Sequence, residues 1–503
     1  MQQQQGRHFL SHAGIYLIAR GLPGIVAFIA IPLFSRLLDP TDYGRYALVV
    51  ATVGLLNALL FQWLRLSLVR YMPAYKGDPQ RLKSTLLSVA LVIIALLGVV
   101  GAILSFLPIN SEFRLLILPC WVVLAVQAMF ELFSEYTRAI VQPWRNMTFQ
   151  LLRAGAFVLV GAALVWGGWN WWGPLAGASV GMLLAIAYGF RQDWRGVRLS
   201  IDPVMLKRLA QYGVPLSLTV AMAVVISSSD RFLISWYMGE AAAGLYSVAT
   251  DFTMQSLTLL MMVVNLAMYP LAVRAWEEQG REAAQDQMRS NASLLMAVGL
   301  PSVAGICVLS PGIAQCFFGE RFRESAVDIM PLIAIGAFLA GLKAYHFDAA
   351  FQFVHRTIYQ VWIVLFVAIV NIVLNVIAIP TWGINGAAGA TLLAYVVSIA
   401  LTAWLGRRHL ALPFPLKAST QVVLACGVMA AVLWPFRDAV GATSVAAQIA
   451  GGGALYVAVL VGANFLGLRD AIVQKYRGIE VDLKSSNGCD RDVAVHLVET
   501  RQA

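Results

Sequence analysis

The chain has 503 residues, 59% of them hydrophobic and only 12% charged, with a formal net charge of +10. Soluble domains carry about a quarter charged residues, so this composition excludes a soluble globular protein and points to a bilayer protein. The positive balance is that of basic membrane-flanking loops and requires no nucleic acid; no G-x-x-x-x-G-K-[ST] run occurs.

In chain order, the polar opening MQQQQGRHFLSHAG reads as a cytoplasmic N-terminus over 1–13, with no cleavable signal. Apolar runs of spanning length then predict helices near 14–38, 46–64, 85–107, 115–136, 148–168 and 174–190, a first six-helix half over 14–190. A basic linker, 191–212, leads to six more near 213–237, 245–272, 292–314, 328–345, 358–379 and 386–405, a second half over 213–405. Two added spans near 418–435 and 447–467 fill a unit over 418–467, and 468–503 is a polar cytoplasmic tail. The expected fold is all-α and polytopic, with about 14 transmembrane helices. Cys120, Cys307, Cys316, Cys426 and Cys489 form no C-x-x-C and are expected to be free thiols.

The connections alternate in charge. RLSLVRYMPAYKGDPQRLK, RQDWRGVRLSIDPVMLKR and GRRHLALPFPLK are basic, whereas LDPTDYGR, GWNWW, MGEAAAG and PTWGIN are poor in Lys and Arg. Positive loops stay inside, which puts both termini in the cytoplasm.

One unit occurs twice. SRLLDPTDYGRYALVVAT (Ser35–Thr52) and SWYMGEAAAGLYSVATDF (Ser235–Phe252) align Gly44 with Gly244 and Tyr46 with Tyr246. After each unit the second helix of its block is expected to close on a proline, Pro73 or Pro270. Each block ends in a Trp-Gly turn and a run of small residues, WWGPLAGASVGMLL and TWGINGAAGATLLAY. Units separated by an even number of spans point the same way, so the halves are parallel, around a central cavity that alternating access would use.

ISSSDRFLISWYMGEAAAGLYSVATDF (Ile226–Phe252) and NIVLNVIAIPTWGINGAAGATLLAYVVS (Asn371–Ser398) resemble helix signatures of the polysaccharide and O-antigen flippases, of the multidrug/oligosaccharidyl-lipid/polysaccharide exporter superfamily. FSRLLDPTDYGRYALV and FFGERFRESAVDIMPLIAIGAFL resemble the same family, over roughly residues 10 to 410. The resemblance implies a bacterial inner-membrane flippase. Its cargo would be an undecaprenyl-pyrophosphate-linked oligosaccharide (an O-antigen, capsule or exopolysaccharide repeat unit), carried from inner to outer leaflet, in some members with cation coupling. The implied partners are that glycan, membrane lipids and other polysaccharide assembly proteins; no cofactor is implied.

Ionisable residues inside spans face a cavity or a partner. Arg20, Arg153 and Arg231 are the candidates for a cationic lumen that grips a lipid pyrophosphate, since guanidinium forks suit phosphate oxygens. The plainer reading pairs Arg231 with Asp251 and Arg153 with Glu131. Asp251, Asp230 and Glu131 are candidate coupling sites or ion-pair partners, and by the resemblance Asp230 belongs to an Asp-Arg pair. Asn371 and Asn375, at i and i+4, are candidate polar lumen residues or interhelical glue. Arg36 and Arg65 read as snorkelling anchors, and YHFDAAFQFVHRT as a surface connection without a metal. A multidrug exporter is the alternative within the superfamily. A polymerase or ligase is the alternative outside it, disfavoured because outer loops are shorter than about 16 residues and hold no Ser/His/Asp set, so no catalytic residue is assigned.

The loop charges make the topology testable. Single cysteines at Arg81 and Arg198 should label only from the cytoplasmic side, and those at Asp42, Asn170 and Glu240 only from the other. Labelling of position 198 from outside would overturn the orientation.

Overall fold

The structure is a computed structural model, which describes residues 24–470 apart from 27, 76, 109, 110 and 440. Arg20, Cys489, the segment 1–13 and the tail beyond 470 lie outside the described residues. Among the described residues the only regular elements are helices. They are α1 (Gly24–Leu37), α2 (Pro40–Leu60), α3 (Gln62–Tyr71), α4 (Pro79–Phe106), α5 (Ser111–Ala139), α6 (Pro143–Leu164) and α7 (Trp172–Gly189). Then follow α8 (Pro203–Met238), α9 (Glu240–Gln279), α10 (Arg281–Phe317), α11 (Glu320–Leu342), α12 (Ala349–Phe353), α13 (Ile358–Arg407), α14 (Leu416–Leu433) and α15 (Ala442–Gly462).

Proline punctuates the starts. Pro40, Pro79, Pro143 and Pro203 each occupy the first turn of a helix, where the missing N–H costs nothing. Asp39 and Asp202 cap α2 and α8; Asp39 accepts from the Asp42 N–H at 2.8 Å. Inside helices proline does not terminate: α9 runs through Pro270 to Gln279. The expectation that this helix closes on Pro270 is therefore corrected. Proline removes one backbone bond, and neighbouring helices in a membrane bundle tolerate that loss.

Twelve helical stretches among the described residues are long and apolar enough to cross a membrane. The count of fourteen from the sequence took the two arms of α13 separately and included the first span, of which α1 is the described part. The 50-residue α13 is not one rod. Gly383 takes φ +59°, ψ −140°, which only glycine adopts without strain, and there the chain folds back into a second arm.

Tryptophans mark two levels. Trp166, Trp169, Trp236, Trp382 and Trp434 are exposed where α6, α8, the first arm of α13 and α14 end. Trp144, Trp362 and Trp404 are exposed near the opposite ends of their helices. This is the pair of aromatic belts that bounds a bilayer core.

Two large cores divide the bundle. One runs through α2 to α7 and takes in Met205 and Leu209 from the start of α8. The other is built from α8 to α15 and receives Ala30, Phe34, Tyr43 and Ala47 from α1 and α2. The repeated glycines lie where α2 and α9 meet. A Cβ on Gly44 would sit 1.9 Å from the Glu240 carbonyl oxygen, and one on Gly244 would sit 2.0 Å from that of Pro40. The contact is reciprocal, first turn to first turn, which is what a two-fold axis produces. Both helices enter from the same end, so the relation is parallel and not inverted. In α7, added Cβ atoms on Gly177 and Gly181 would lie 2.5 Å from α6 backbone atoms; this is how the small-residue run lets the two helices pack.

Gly44→Ala or Gly244→Ala should therefore force α2 and α9 apart and cost about 1–3 kcal/mol. Gly54→Ala, where an added Cβ meets nothing within 4 Å, is the control. Thermal melting of the purified variants reads the difference, and an unchanged Gly44→Ala melt would disprove the tight crossing.

Candidate functional site

A cavity of about 300 Å³ lies between the halves. The first half supplies Phe34, Tyr43, Tyr46 and Phe157, and the second Arg231, Asp251 and Gln255. Arg231, on α8, and Asp251, on α9, form an ion pair on its wall. The pair is asymmetric: the arginine side chain is 11% exposed and the aspartate 32%. Arg231 Nε has no partner although it is buried. The pairing of Arg231 with Asp251 was one of the two readings open from the sequence.

Glu131 is held differently from expectation. Its partner is Arg65, with Asn57 Nδ2 and Gln127 Nε2 donating to the carboxylate at 2.8 Å each. Arg65 is buried and does not snorkel. The bend between α2 and α3 at Phe61 turns it inward toward α5. Arg153 is left without an acid among the described residues. Its guanidinium lies 5.4 Å from the Phe130 ring centroid, a cation–π contact. Arg36 is exposed and donates to the Cys316 carbonyl.

Asp230 does not face the cavity. It is enclosed between α8, α9 and α13, where Tyr246 Oη donates to it at 2.7 Å, Thr391 Oγ1 at 2.6 Å and Asn375 Nδ2 at 2.7 Å. Asn375 also donates to the Asn371 carbonyl at 3.0 Å, and Ser229 Oγ donates to Asn371 Oδ1 at 2.9 Å. Both asparagines are wholly buried in this network and do not line the cavity. No cation pairs with Asp230 among the described residues, so three neutral donors hold the carboxylate.

His346 corrects the reading of its segment as a surface loop. It is fully buried in the turn after α11, edge-on to Phe347, and beside it Lys343 pairs with Asp348 at 3.0 Å. No cluster of three or more His, Cys, Asp or Glu fit for a metal occurs among the described residues. Cys120, Cys307, Cys316 and Cys426 are free thiols.

The sequence reading passed over Gln255 and Thr258. With Asp251 they stand at i, i+4 and i+7 of α9, and all three line the cavity. That spacing on an apolar helix was the available signal.

The end of the bundle at which α2 and α9 begin is shut. Arg45 Nε donates to Glu240 Oε2 at 2.7 Å, the Gly319 N–H donates to Ser35 Oγ at 3.3 Å, and Tyr43 packs edge-on against Phe322. At the opposite end α8 leans on the first half. Ser67 Oγ donates to the Leu209 carbonyl at 2.8 Å, and Arg81 Nε donates to Asp202 at 2.6 Å. Asp202, outside the membrane level, is held below the usual carboxylate range, chiefly by the Met205 N–H.

These features define a polytopic helical bundle with two parallel halves and a charged cavity between them. Its fold is shared with "Lipid II flippase MurJ, inward closed conformation", at TM-score 0.76 and 14% identity over 91% of this chain and 99% of that one. It is also similar to an inward-facing multidrug resistance MATE family transporter of the MOP superfamily, at TM-score 0.62 and 16% identity over 79% and 98%. The family model described as "Polysaccharide biosynthesis protein" matches residues 9–276, and that described as "MatE" matches 215–377. The chain belongs to the polysaccharide biosynthesis protein family. It is 25% identical over 237 residues to "Probable low-salt glycan biosynthesis flippase Agl15" of Haloferax volcanii, which covers 44% of this chain. The match spans 48%, about half, of that relative's length.

The ion pair sets the next expectation. Arg231→Ala leaves Asp251 unpaired, at a cost of about 3 kcal/mol or less given the exposure of the aspartate. Removing both charges, in Arg231→Ala/Asp251→Ala, leaves neither group unpaired and should recover most of that loss, read as the melting temperature of the purified variants; a double variant no more stable than Arg231→Ala would overturn the pairing role.

Proposed function

We propose that the chain moves lipid-linked oligosaccharides between membrane leaflets by alternating access, with the cavity between the halves receiving the charged head of the cargo. The carrying observation is Arg231 on the wall of that cavity, in a chain whose family model is one of polysaccharide biosynthesis. The relative described as a glycan biosynthesis flippase supports the same reading. A guanidinium in a low-dielectric site attracts phosphate oxygens strongly. Gln255 and Thr258 offer neutral hydrogen bonds to a head group; Arg153 stands outside the lining of the cavity, with no carboxylate partner among the described residues. The finer reading is an undecaprenyl-pyrophosphate carrier in a bacterial inner membrane, with the shut end facing the periplasm. At about 300 Å³ the cavity admits a phosphate group and not a glycan, so transfer requires the contacts of the shut end to part.

Asp230 is our candidate for coupling. An enclosed carboxylate with no cation partner is costly unless it takes up a proton or a small cation. Its contacts tie α8 to α9 and α13, so a change in its charge reaches three helices of one half.

Multidrug export is the second reading, favoured by the MatE match over 215–377. Reconstitution separates the two. Liposomes holding the protein should transfer undecaprenyl-pyrophosphate-linked glycan between leaflets, and Arg231→Lys should retain part of that rate because it keeps the charge but loses the fork. Efflux of a lipophilic cation with no glycan transfer would replace this reading with the second. Asp230→Asn should leave the protein folded but make transfer independent of proton or sodium gradients; an unaltered gradient response would remove Asp230 from coupling.

A further inference from the structure

A second cavity, of about 490 Å³, lies at the basic end of the bundle, apart from the cavity between the halves. Leu342 and Phe347 form one wall, Ile399 and Ala403 of α13 another, and Phe414 and Leu416 a third as the chain enters α14. Thr402 also lines it, but its hydroxyl is satisfied by the Ser398 carbonyl at 2.7 Å, so it brings no free hydroxyl to the apolar wall. Arg407 lines the same cavity with no ion-pair partner among the described residues.

Along its own segment Arg407 has only cationic charged neighbours: Arg408 and Lys417 follow within ten residues, and no Asp or Glu occurs from 399 to 437. The start of α10 packs beside this segment through Gln285, which donates to the Ala411 carbonyl at 2.6 Å, and its Asp286 is paired with Arg289 at 3.8 Å. The nearby acid Asp348 is already paired with Lys343. Arg408 lies 4.2 Å over the ring of Trp404, one of the exposed belt tryptophans, which sets the arginines at the level of lipid head groups. An apolar bay with uncompensated cations at head-group depth is complementary to a molecule with an acyl chain and an anionic head.

We propose that this bay binds an anionic phospholipid, with an acyl chain between α11, α13 and the start of α14 and its phosphate on Arg407 and the neighbouring cations. The site joins the second half to the added pair α14–α15, so a bound lipid braces α14 against α13. This assignment is independent of what the central cavity carries.

The test uses the full-length protein in neutral detergent, titrated with cardiolipin, phosphatidylglycerol or phosphatidylcholine of matched chains while its melting is followed. The two anionic lipids should raise the melting temperature and phosphatidylcholine should not. Arg407→Gln removes the charge from the bay, and Ala403→Leu fills the bay while leaving every charge in place. Each should weaken the anionic-lipid effect by about tenfold or more in half-saturating concentration, the scale of a lost charge-assisted contact. Melting without lipid shows that each variant is folded. If Ala403→Leu does not fold, Ile399→Phe replaces it as the filling variant. Equal stabilisation by phosphatidylcholine overturns the proposal. So does an anionic effect that survives filling of the bay, because the lipid would then be held by surface charge alone.

Discussion

Among the glycines of the described residues, the two with the least room lie where two backbones meet. Where α2 and α9 cross, Gly44 and Gly244 leave no room for a single carbon atom. Hydrophobic burial does not drive helices together in lipid, where the surroundings are as apolar as the helices; close van der Waals contact does. The crossing therefore fixes the first turns of α2 and α9, and the shut end is organised around it. Arg45 reaches Glu240 one residue beyond the glycine, and Tyr43 reaches Phe322 one residue before it. Deeper along the same two helices, Tyr46, Val50, Asp251 and Gln255 line the cavity.

Placement of charge follows from that arrangement. The ion pairs Arg231 with Asp251 and Arg65 with Glu131, whose arginines are each 11% exposed, each lie within one half. Relative motion of the halves separates neither, so no charge is stripped of its partner in a low dielectric. Pairs that join different parts, Arg45 with Glu240 and Arg81 with Asp202, sit at helix ends; Arg81 is 61% exposed, so breaking its pair costs little, whereas Arg45 and Glu240, at 26% and 12%, hold the shut end more firmly. Arg153 is the exception, a cation with no acid paired to it among the described residues and the Phe130 ring 5.4 Å from its guanidinium.

Much of this was legible in the sequence. Apolar runs gave the helices, and the repeat gave the parallel halves, because both depend on local pattern. Tyr46 and Tyr246 show where such reasoning stops. They are equivalent in the repeat, yet one lines the cavity and the other donates to buried Asp230. Which face a residue presents depends on helix rotation, which the repeat does not encode. Arg65 was misread for a related reason. It stands at the end of an apolar run, like a snorkelling residue, and only the bend at Phe61 turns it toward Glu131. Pairing across 66 positions leaves no local trace. Proline marked the helix starts and also the stop at Pro73, which lies just past the end of α3 at Tyr71; Pro270, inside α9, has the same local appearance and a different effect.

The helix α8 belongs to both halves at once. Met205 and Leu209 pack in the core of the first half, and Ile234 packs in that of the second. If the halves move against each other as proposed, a continuous straight helix of 36 residues, about 54 Å long, would lock them together. Pro215 lies between the two attachments. Its ring prevents a bond to the Gln211 carbonyl and crowds that turn, so bending costs least there. Gly213, two residues earlier, is pressed against the Trp63 carbonyl of α3, which keeps the segment before the proline seated on the first half. Any rotation of the halves is thereby concentrated at one turn of α8, while Asp230 and Arg231, more than a dozen residues further on, stay in register with α9 and α13.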